Sequence, residues 1–478
     1  MGSVMSLNCS SRSRTPILNE GSSNESCKRQ KICSSYEGEN NRLIPRLPDE
    51  LSIQILARVP RICYFNARLV SRKWKSAFTS SELYCLRQEL GKTEEWLYVL
   101  TKDQENVFLW HALDPVSAKW QRLPPMPDIV CEEESRRSFS GLWNVVSPRM
   151  KVAEILRSWF GRKDRPEKLP FCGCAFGAVD GCLYVLGGLS KSCTANSVLR
   201  FDPVLNKWNE VSPMLESRAY SKTGILNNKL YVVGGINHGR GGFSPLRSAE
   251  VYDPSANAWS EVPSMPFSKA QVLPNAFLAG LLKPVATGMS SYNGRLCVPQ
   301  SLYSWPFYVD IGGEVYEPET NSWIEMPIGM GEGWPARQAG TKLSVVVDGE
   351  LYGFDPPPSS MESGNIKVYD QKEDTWKVVI REVPVSDLPQ SESPYILAGF
   401  HGKLHFITRD FNGKITVLRA DLRESSSSPS SGPYPFAGSR SFREKTDLPN
   451  TTDTVVWKVI AAKDFGAAEL VSCQVIDL

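Results

Sequence analysis

Residues 180–188 read DGCLYVLGG and residues 228–235 read NKLYVVGG, and this repeated stretch decides the fold. In each copy a short apolar run ends in two glycines. A second apolar run and a tryptophan follow, Trp208 in the first copy and Trp259 in the second. Turn-forming residues bound every run, which predicts short strands rather than helices. Self-similarity of this kind is the sequence signature of a repeat architecture.

Four weaker copies bring the number of units to six. They are recognised by their tryptophans, which are Trp120, Trp323, Trp376 and Trp457. Three intervals between successive repeat tryptophans are 51, 64 and 53 residues, and two are 88 and 81. The longer copies contain insertions, and we place insertions or connectors near residues 128–170, 270–288 and 423–450. The first has a helical apolar stripe, the second reads as a packed connector, and the third is rich in Ser, Pro and Gly.

Each unit has four strand-sized pieces, and one such sheet cannot bury both of its faces alone. Stacking the units radially buries the faces and leaves only short edges exposed. A glycine after a strand lets the backbone bend or approach a neighbour, and a tryptophan fills the space between sheets. The residues expected in these structural roles are Gly187, Gly188, Trp208, Gly234, Gly235, Trp259, Trp323 and Trp376. We therefore predict a mostly β fold, a six-bladed β-propeller over residues 94–478.

The first unit lacks the strand that should precede its apolar run at Leu97-Tyr98-Val99. The stretch from Leu470 to Leu478 has strand character and no other partner. We predict that it supplies the missing strand and closes the ring.

The N-terminal residues differ from the repeats in composition and in pattern. Residues 1–40 are polar and nearly free of aromatics, which predicts a disordered tail. Residues 41–91 predict a small all-α domain. Pro48 suits the first turn of a helix, the stretch at Ser80 suits a capping box, and Gly91 suits a helix end.

Composition excludes several classes of function. The 54 Lys+Arg nearly balance the 52 Asp+Glu, so neither nucleic acid nor a membrane surface is an expected partner. The closest pair among 12 cysteines, Cys172 and Cys174, lacks a second pair to complete a zinc site. We expect free thiols, no metal, no cofactor, and a location in the cytoplasm, the nucleus or both.

The segment from Leu47 to Trp74, with Leu-Pro-Asp-Glu-Leu at its start, resembles the F-box motif, and the diglycine repeat resembles kelch. Together they resemble plant-type F-box/kelch-repeat proteins. That resemblance implies a non-catalytic substrate-recognition subunit of an SCF-type ubiquitin ligase, whose F-box binds a Skp-family adaptor and through it cullin and a RING protein. The adaptor contacts that it implies are Leu47, Pro48, Leu51, Ile55 and Leu56, with Val70 and Trp74 nearby. The alternative is that these residues form the internal core of the helical domain.

The propeller would then bind the client protein, whose identity the sequence does not name. Loops on one face of the disc are the expected site, because aromatic and arginine side chains are common anchors. The candidates are His238, Arg240, Phe243, Arg247, Tyr303, Trp305, Trp334 and Arg337. Ordinary loop packing is the alternative for each of them. Oligomeric state, and any need for a phosphate or small ligand, stay open.

Two other classes of function remain as alternatives. A propeller enzyme would need convergent ligands or a nucleophile, and the chain has only four histidines. His401 and His405 are four residues apart and would share a face of an extended strand, although ordinary strand histidines are the favoured interpretation. A kelch scaffold or cytoskeletal adaptor without a ligase role is the other alternative. We expect no catalytic residue.

Overall fold

The computed structural model describes residues 42–103, 107–127, 173–190, 193–239, 242–268, 283–304, 307–335, 343–356, 364–383, 395–410, 412–422 and 455–478. The chain divides into two compact units, Met1–Leu56 and Ala57–Leu478. The predicted tail and the insertions at 128–170 and 423–450 lie outside the described residues.

Short helices occupy the N-terminal part of the described chain. They are α1 (Asp49–Ala57), a 3₁₀ turn (Arg61–Cys63), α2 (Tyr64–Ala67), α3 (Arg72–Ala77) and α4 (Ser81–Glu89). Ser71 and Ser80 are the N-cap residues of α3 and α4. Their side chains accept hydrogen bonds from the backbone N–H of the third residue of each helix, Trp74 and Leu83. Gly91 follows α4 with a positive φ of 57°, as its predicted role at a helix end requires. A further helix, α5 (Ile328–Glu332), lies within the β-rich part.

The strands follow from residue 95 onward. They are β1 (Glu95–Lys102), β2 (Phe108–Leu113), β3 (Trp120–Arg122), β4 (Ala175–Val179), β5 (Cys182–Leu186), β6 (Leu189–Ser190), β7 (Cys193–Thr194), β8 (Val198–Asp202), β9 (Lys207–Val211), β10 (Lys222–Leu226), β11 (Lys229–Val233), β12 (Ile236–Gly239), β13 (Gly242–Pro245), β14 (Ala249–Asp253), β15 (Ala258–Val262), β16 (Lys283–Ala286), β17 (Ser290–Tyr292), β18 (Arg295–Ser304), β19 (Phe307–Glu317), β20 (Ser322–Glu325), β21 (Ser344–Val347), β22 (Glu350–Asp355), β23 (Gly364–Asp370), β24 (Thr375–Val383), β25 (Tyr395–Phe400), β26 (Lys403–Arg409), β27 (Ile415–Leu422), β28 (Val455–Lys463) and β29 (Glu469–Asp477).

These strands form six blades, each a sheet of antiparallel strands. In order, the blades are β29-β1-β2-β3, β4-β5-β8-β9, β10-β11-β14-β15, β16-β18-β19-β20 with β17 also on β18, β21-β22-β23-β24, and β25-β26-β27-β28. Apolar clusters fill the space between successive blades. The predicted six-bladed propeller, preceded by a small helical domain, is confirmed.

The last strand closes the ring. β29 pairs with β1 in antiparallel register from Glu95↔Asp477 to Lys102↔Glu469. Its Leu470 and Ile476 are buried in the apolar clusters on either side of the first blade. The predicted latch by the C-terminal stretch is therefore confirmed.

The diglycines sit where the backbone leaves no room for a side chain. Gly235 has a φ of +89°, and a Cβ there would lie 2.5 Å from the carbonyl oxygen of Ala219. At Gly187 the corresponding distance, to the carbonyl oxygen of Arg218, is 2.2 Å. Both distances are far below van der Waals contact, so these positions require glycine.

Four of the repeat tryptophans form hydrogen bonds between neighbouring blades, from the second, third, fourth and fifth blades to the blade before each. Their indole N–H groups donate to carbonyl oxygens that follow the preceding blade's outer strand, as Trp208 to Pro124 (3.0 Å), Trp259 to Ser212 (2.8 Å), Trp323 to Pro263 (2.6 Å) and Trp376 to Met330 (3.0 Å). The indole nitrogens of Trp120 and Trp457 are buried and have no hydrogen-bond partner among the residues that the structure describes. The repeat therefore couples blades through hydrogen bonds as well as apolar packing.

The fourth blade departs from the prediction of a packed connector at 270–288. Residues 269–282 lie outside the described part, but Lys283–Ala286 is a strand, β16, that pairs with β18. It can do so because β18 has Pro299 where the second and third blades have a diglycine. Instead of turning away there, β18 runs on to Ser304 with a register shift between Pro299 and Ser301.

Candidate functional site

The first helix presents two apolar side chains to solvent. Leu51 and Ile55 are four residues apart, so they share one face of α1, and they are 49% and 46% exposed. Pro48 is exposed and Leu47 is partly buried. Leu56, in contrast, is only 1% exposed. Its burial favours the internal-core alternative for this one position.

A second group of exposed apolar side chains belongs to residues 65–70. Phe65, Leu69 and Val70 are all exposed, Leu69 the most at 84%. Val70 was expected on a helical stripe with Trp74, but it precedes the N-cap of α3 and lies outside the helix. Trp74 is partly buried and packs against Phe78, with ring centroids 6.0 Å apart. Phe65 and Leu69 were not predicted, because the four-residue helix α2 is too short to produce a periodic pattern.

Helices α2 to α4 are held against one end of the propeller. The Arg61 and Arg68 side chains donate to the carbonyl oxygens of Pro203 and Val204 in the turn between β8 and β9. On α4, the Tyr84 hydroxyl donates to the carbonyl oxygen of Asp477 at 3.4 Å. These contacts lie at the end of the blades where third strands turn into fourth strands.

Glu94 joins these helices to the first blade. One of its carboxylate oxygens accepts from Arg87 at 3.1 Å and from the Arg61 backbone at 3.2 Å, and the other accepts from Trp96 at 3.3 Å. Arg87 also donates to the carbonyl oxygen of Val59 at 2.8 Å. The Arg87 side chain is 4% exposed and that of Glu94 is 17%, so the pair is largely shielded from water. No local sequence pattern indicated this junction.

The opposite end of the propeller carries a raised rim on the second, third and fourth blades. There the connections from second to third strands contain additional strands, the hairpins β6–β7 and β12–β13 and the extended β18–β19 hairpin with β16. Thr194 and Asn237 link the first two hairpins through a 2.8 Å hydrogen bond. Ser217 donates to the same Asn237 oxygen at 3.2 Å. We call these strands the rim.

Some predicted client-binding residues lie on the rim. His238 is exposed on β12, and Phe243 and Tyr303 lie in β13 and β18. Arg247 is exposed beside the rim, but its guanidinium donates to Met265 and Pro266 carbonyl oxygens and lies 5.5 Å from the ring centroid of Phe267. Residues Arg240, Trp305 and Arg337 lie outside the described part.

The expectation of an exposed loop aromatic was wrong for Trp334. It is 8% exposed and packs edge-on against Trp376, with ring centroids 5.7 Å apart. It lies just after α5, a helix that the sequence analysis did not predict. The tryptophan therefore belongs to the packing around the fifth blade.

The two closely spaced histidines do not share a strand. His401 has a positive φ of 51° in the turn between β25 and β26, whereas His405 is 2% exposed on β26. Burial lowers the pKa of His405 to about 4, so it is neutral at physiological pH. The expected common face was wrong because the turn intervenes.

Within the described ranges, no group of three or more His, Cys, Asp or Glu side chains could hold a metal ion. In the same ranges, no helix reaches the length and apolar character of a membrane span.

Comparisons with known proteins agree with this architecture. The F-box domain family matches residues 44–86, and the kelch motif family matches residues 170–215 and 217–266. An F-box/kelch-repeat protein of Arabidopsis thaliana is 72% identical over 479 residues, covering 100% of both chains. A second Arabidopsis F-box/kelch-repeat protein is 27% identical over 65% of this chain and 64% of its own length, and the Arabidopsis F-box protein AFR is 26% identical over 65% and 68%. With a relative this similar along the whole length, the chain belongs to the F-box/kelch-repeat proteins.

Proposed function

We propose that this protein is a non-catalytic substrate-recognition subunit of an SCF-type ubiquitin ligase, acting in the cytoplasm, the nucleus or both. Family membership supports a substrate-adaptor role in general. The observation that supports binding to a Skp-family adaptor in particular is the exposure of apolar side chains on the helical segment. Leu51 and Ile55 in the first unit are 49% and 46% exposed, and Leu69 and Val70 in the second unit are 84% and 62% exposed, so each pair leaves apolar surface that a partner would cover.

The adaptor-binding role assigned to α1 rests on Pro48, Leu51 and Ile55, which leave apolar surface in water. A Skp-family adaptor that covered them would remove that surface from solvent, which is favourable at about 25 cal/mol per Å². The same argument extends to Leu69 and Val70 in the second unit. The argument does not apply to Leu56, because that side chain is already buried.

Adaptor binding is tested by a pulldown with a purified Skp-family adaptor. The Leu51→Ala/Ile55→Ala double variant should lose most of the captured adaptor, because both side chains are exposed and their truncation leaves the fold intact. Val116→Ala is the matched control, since Val116 is an exposed apolar residue at 74% in a propeller turn. Undiminished capture by the folded double variant would reject this surface as the adaptor site. Co-purification with filament proteins in place of adaptor and cullin would favour the cytoskeletal alternative.

The client site is assigned to the rim. Helices α2 to α4 contact the end of the blades at the β8–β9 turn, whereas the rim lies at the other end of the same strands. A client on the rim would therefore not compete with contacts made by those helices. Loops on a rigid scaffold are also the usual place for recognition residues.

The mechanism under this proposal is positional. The protein supplies no nucleophile, but it holds a client lysine near the charged ubiquitin-conjugating enzyme and thereby raises the effective concentration of the reacting groups. Client capture is tested by comparing proteins retained by the wild-type chain and by His238→Ala, with His401→Ala as an exposed histidine control on a turn at the other end. Equal retention by all three would remove His238 from the site.

A further inference from the structure

A cleft lies between the 3₁₀ turn and α2 on one side and the first two blades on the other. Arg61, Arg68 and Arg122 contribute three guanidinium groups to its lining, which contains no aspartate or glutamate. The other lining residues with polar side-chain groups are Gln121, Asn206, Tyr64 and Tyr98. A cleft lined in this way is rich in hydrogen-bond donors and positive charge.

Several of these donors have no acceptor within the described residues. The Arg68 Nε atom is buried without a hydrogen-bond partner. Tyr98 is 2% exposed and lines the cleft, and its side chain makes no hydrogen bond to the described part of the chain. The Arg122 side chain is exposed and likewise makes no hydrogen bond or ion pair with the described residues. Buried donors without acceptors are uncommon in folded proteins, because each one loses its hydrogen bond to water without a replacement.

Two nearby acids, Asp202 and Glu94, accept hydrogen bonds from groups outside the cleft lining or from the backbone, although the charge of Asp202 also acts on Arg68. Asp202 accepts from the backbone N–H groups of Val204 and Leu205 at 2.8 and 2.9 Å. Glu94 accepts from Arg87 and from the Arg61 backbone, and neither carboxylate lines the cleft. Burial lowers the pKa of Arg68, and the neighbouring charge of Arg61 lowers it further. The like charges of these two arginines are thus close enough to disfavour each other.

We propose that this cleft binds a small phosphate-bearing anion, held by Arg61, Arg68 and Arg122 with the Tyr98 hydroxyl as a donor at its base. Tetrahedral oxyanions accept several hydrogen bonds at once, and arginine matches them with two parallel N–H groups. Burial raises the pKa of Tyr98 to about 12, so its hydroxyl keeps its proton and can donate at neutral pH. A bound anion would relieve the repulsion between Arg61 and Arg68 and tighten the attachment of α2 to the propeller. The assignment is independent of the ligase role.

The test is a calorimetric titration of the full chain with pyrophosphate at constant ionic strength. The wild type should bind, and Arg122→Gln should weaken binding about tenfold or more, the expected loss of a charge-assisted hydrogen bond. Arg122 is exposed and its side chain makes no described hydrogen bond or ion pair, so this variant should fold normally. Tyr98→Phe should also weaken binding, because it removes the hydroxyl and keeps the ring. Arg381→Gln, an exposed arginine on β24, is the control and should bind like the wild type.

Three outcomes would overturn the proposal. They are no measurable binding by the wild type, equal affinity in Arg122→Gln and the wild type, and an equal loss in the Arg381→Gln control. An equal loss in the Arg381→Gln control would mean that the affinity for pyrophosphate depends only on the net charge of the protein. A loss confined to Arg122→Gln and Tyr98→Phe would place the anion in this cleft.

Discussion

Glu94 and Leu478 exchange two backbone hydrogen bonds, with Glu94 N donating to Leu478 O at 2.8 Å and Leu478 N donating to Glu94 O at 3.0 Å. The side chain of the same Glu94 accepts from Arg87 on α4. One residue therefore connects the strand that closes the ring to the helices at its end.

Removal of residues 468–478 should lower the unfolding free energy by at least about 5 kcal/mol, because it strips the first blade of its innermost strand. Leu470, Cys473 and Ile476 would no longer cover the clusters on either side. Ile476→Ala alone should cost about 2–5 kcal/mol, and Glu469→Ala, at an exposed position of the same strand, should be near neutral. Urea unfolding measures all three. A deletion variant as stable as the full chain would contradict the pairing of β29 with β1.

Arg87→Ala should destabilise the protein by about 3–5 kcal/mol, since it leaves the shielded Glu94 carboxylate without its charged partner. Limited proteolysis should then cut within residues 57–93 before the propeller is attacked. Arg381→Ala is the control because Arg381 is exposed on β24. Unfolding midpoints that match between the two variants would show that the ion pair contributes nothing to stability.

Gly235→Ala should cost about 3 kcal/mol or more, because positive φ strain adds to a Cβ contact of 2.5 Å with the Ala219 carbonyl oxygen. Gly349→Ala separates the two effects. Gly349 has a similar φ of +81°, but nothing lies within 4 Å of its Cβ position, so strain alone should cost about 1–2 kcal/mol. Equal losses of unfolding free energy would mean that close packing at the diglycine is unimportant.

Stability should decrease as the pH falls from about 6.5 to about 4. Burial lowers the pKa of both His111 and His405 from 6.5 to about 4. In that window the unfolded chain binds a proton at each position and the folded chain does not. Each histidine should therefore contribute a slope of at most about 1.4 kcal/mol per pH unit. His405→Gln should reduce the slope, as measured by urea unfolding between pH 7 and 4.5. An unchanged slope in His405→Gln would contradict its neutral burial.

The features that could be predicted from the sequence are those that the repeat encodes locally. The diglycines, the tryptophans and the latch strand each leave a pattern within a few residues. The helix caps at Ser71 and Ser80 are local in the same sense, although only the second was anticipated. These patterns sufficed for the propeller and for its preceding helices.

What escaped prediction depends on contacts between distant residues. Arg61 and Arg68 contact carbonyl oxygens 142 and 136 positions away, and no local pattern marks such a pair. Trp334 was assigned to an exposed loop because sequence does not reveal that α5 and Trp376 enclose it. The β6–β7 hairpin of the rim was missed because each of its strands is only two residues long.

The pairing of β1 with β29 also has a consequence for biosynthesis. A ribosome releases β1 long before it synthesises residues 469–477. The edge of β1 that pairs with β29 therefore stays unpaired while the other five blades are made. Nascent chains in this interval expose an unpaired strand to their neighbours on the polysome. A stop codon anywhere before Glu469 would leave that edge of β1 permanently unpaired, and chaperones would then bind five formed blades and one incomplete blade as a misfolded protein.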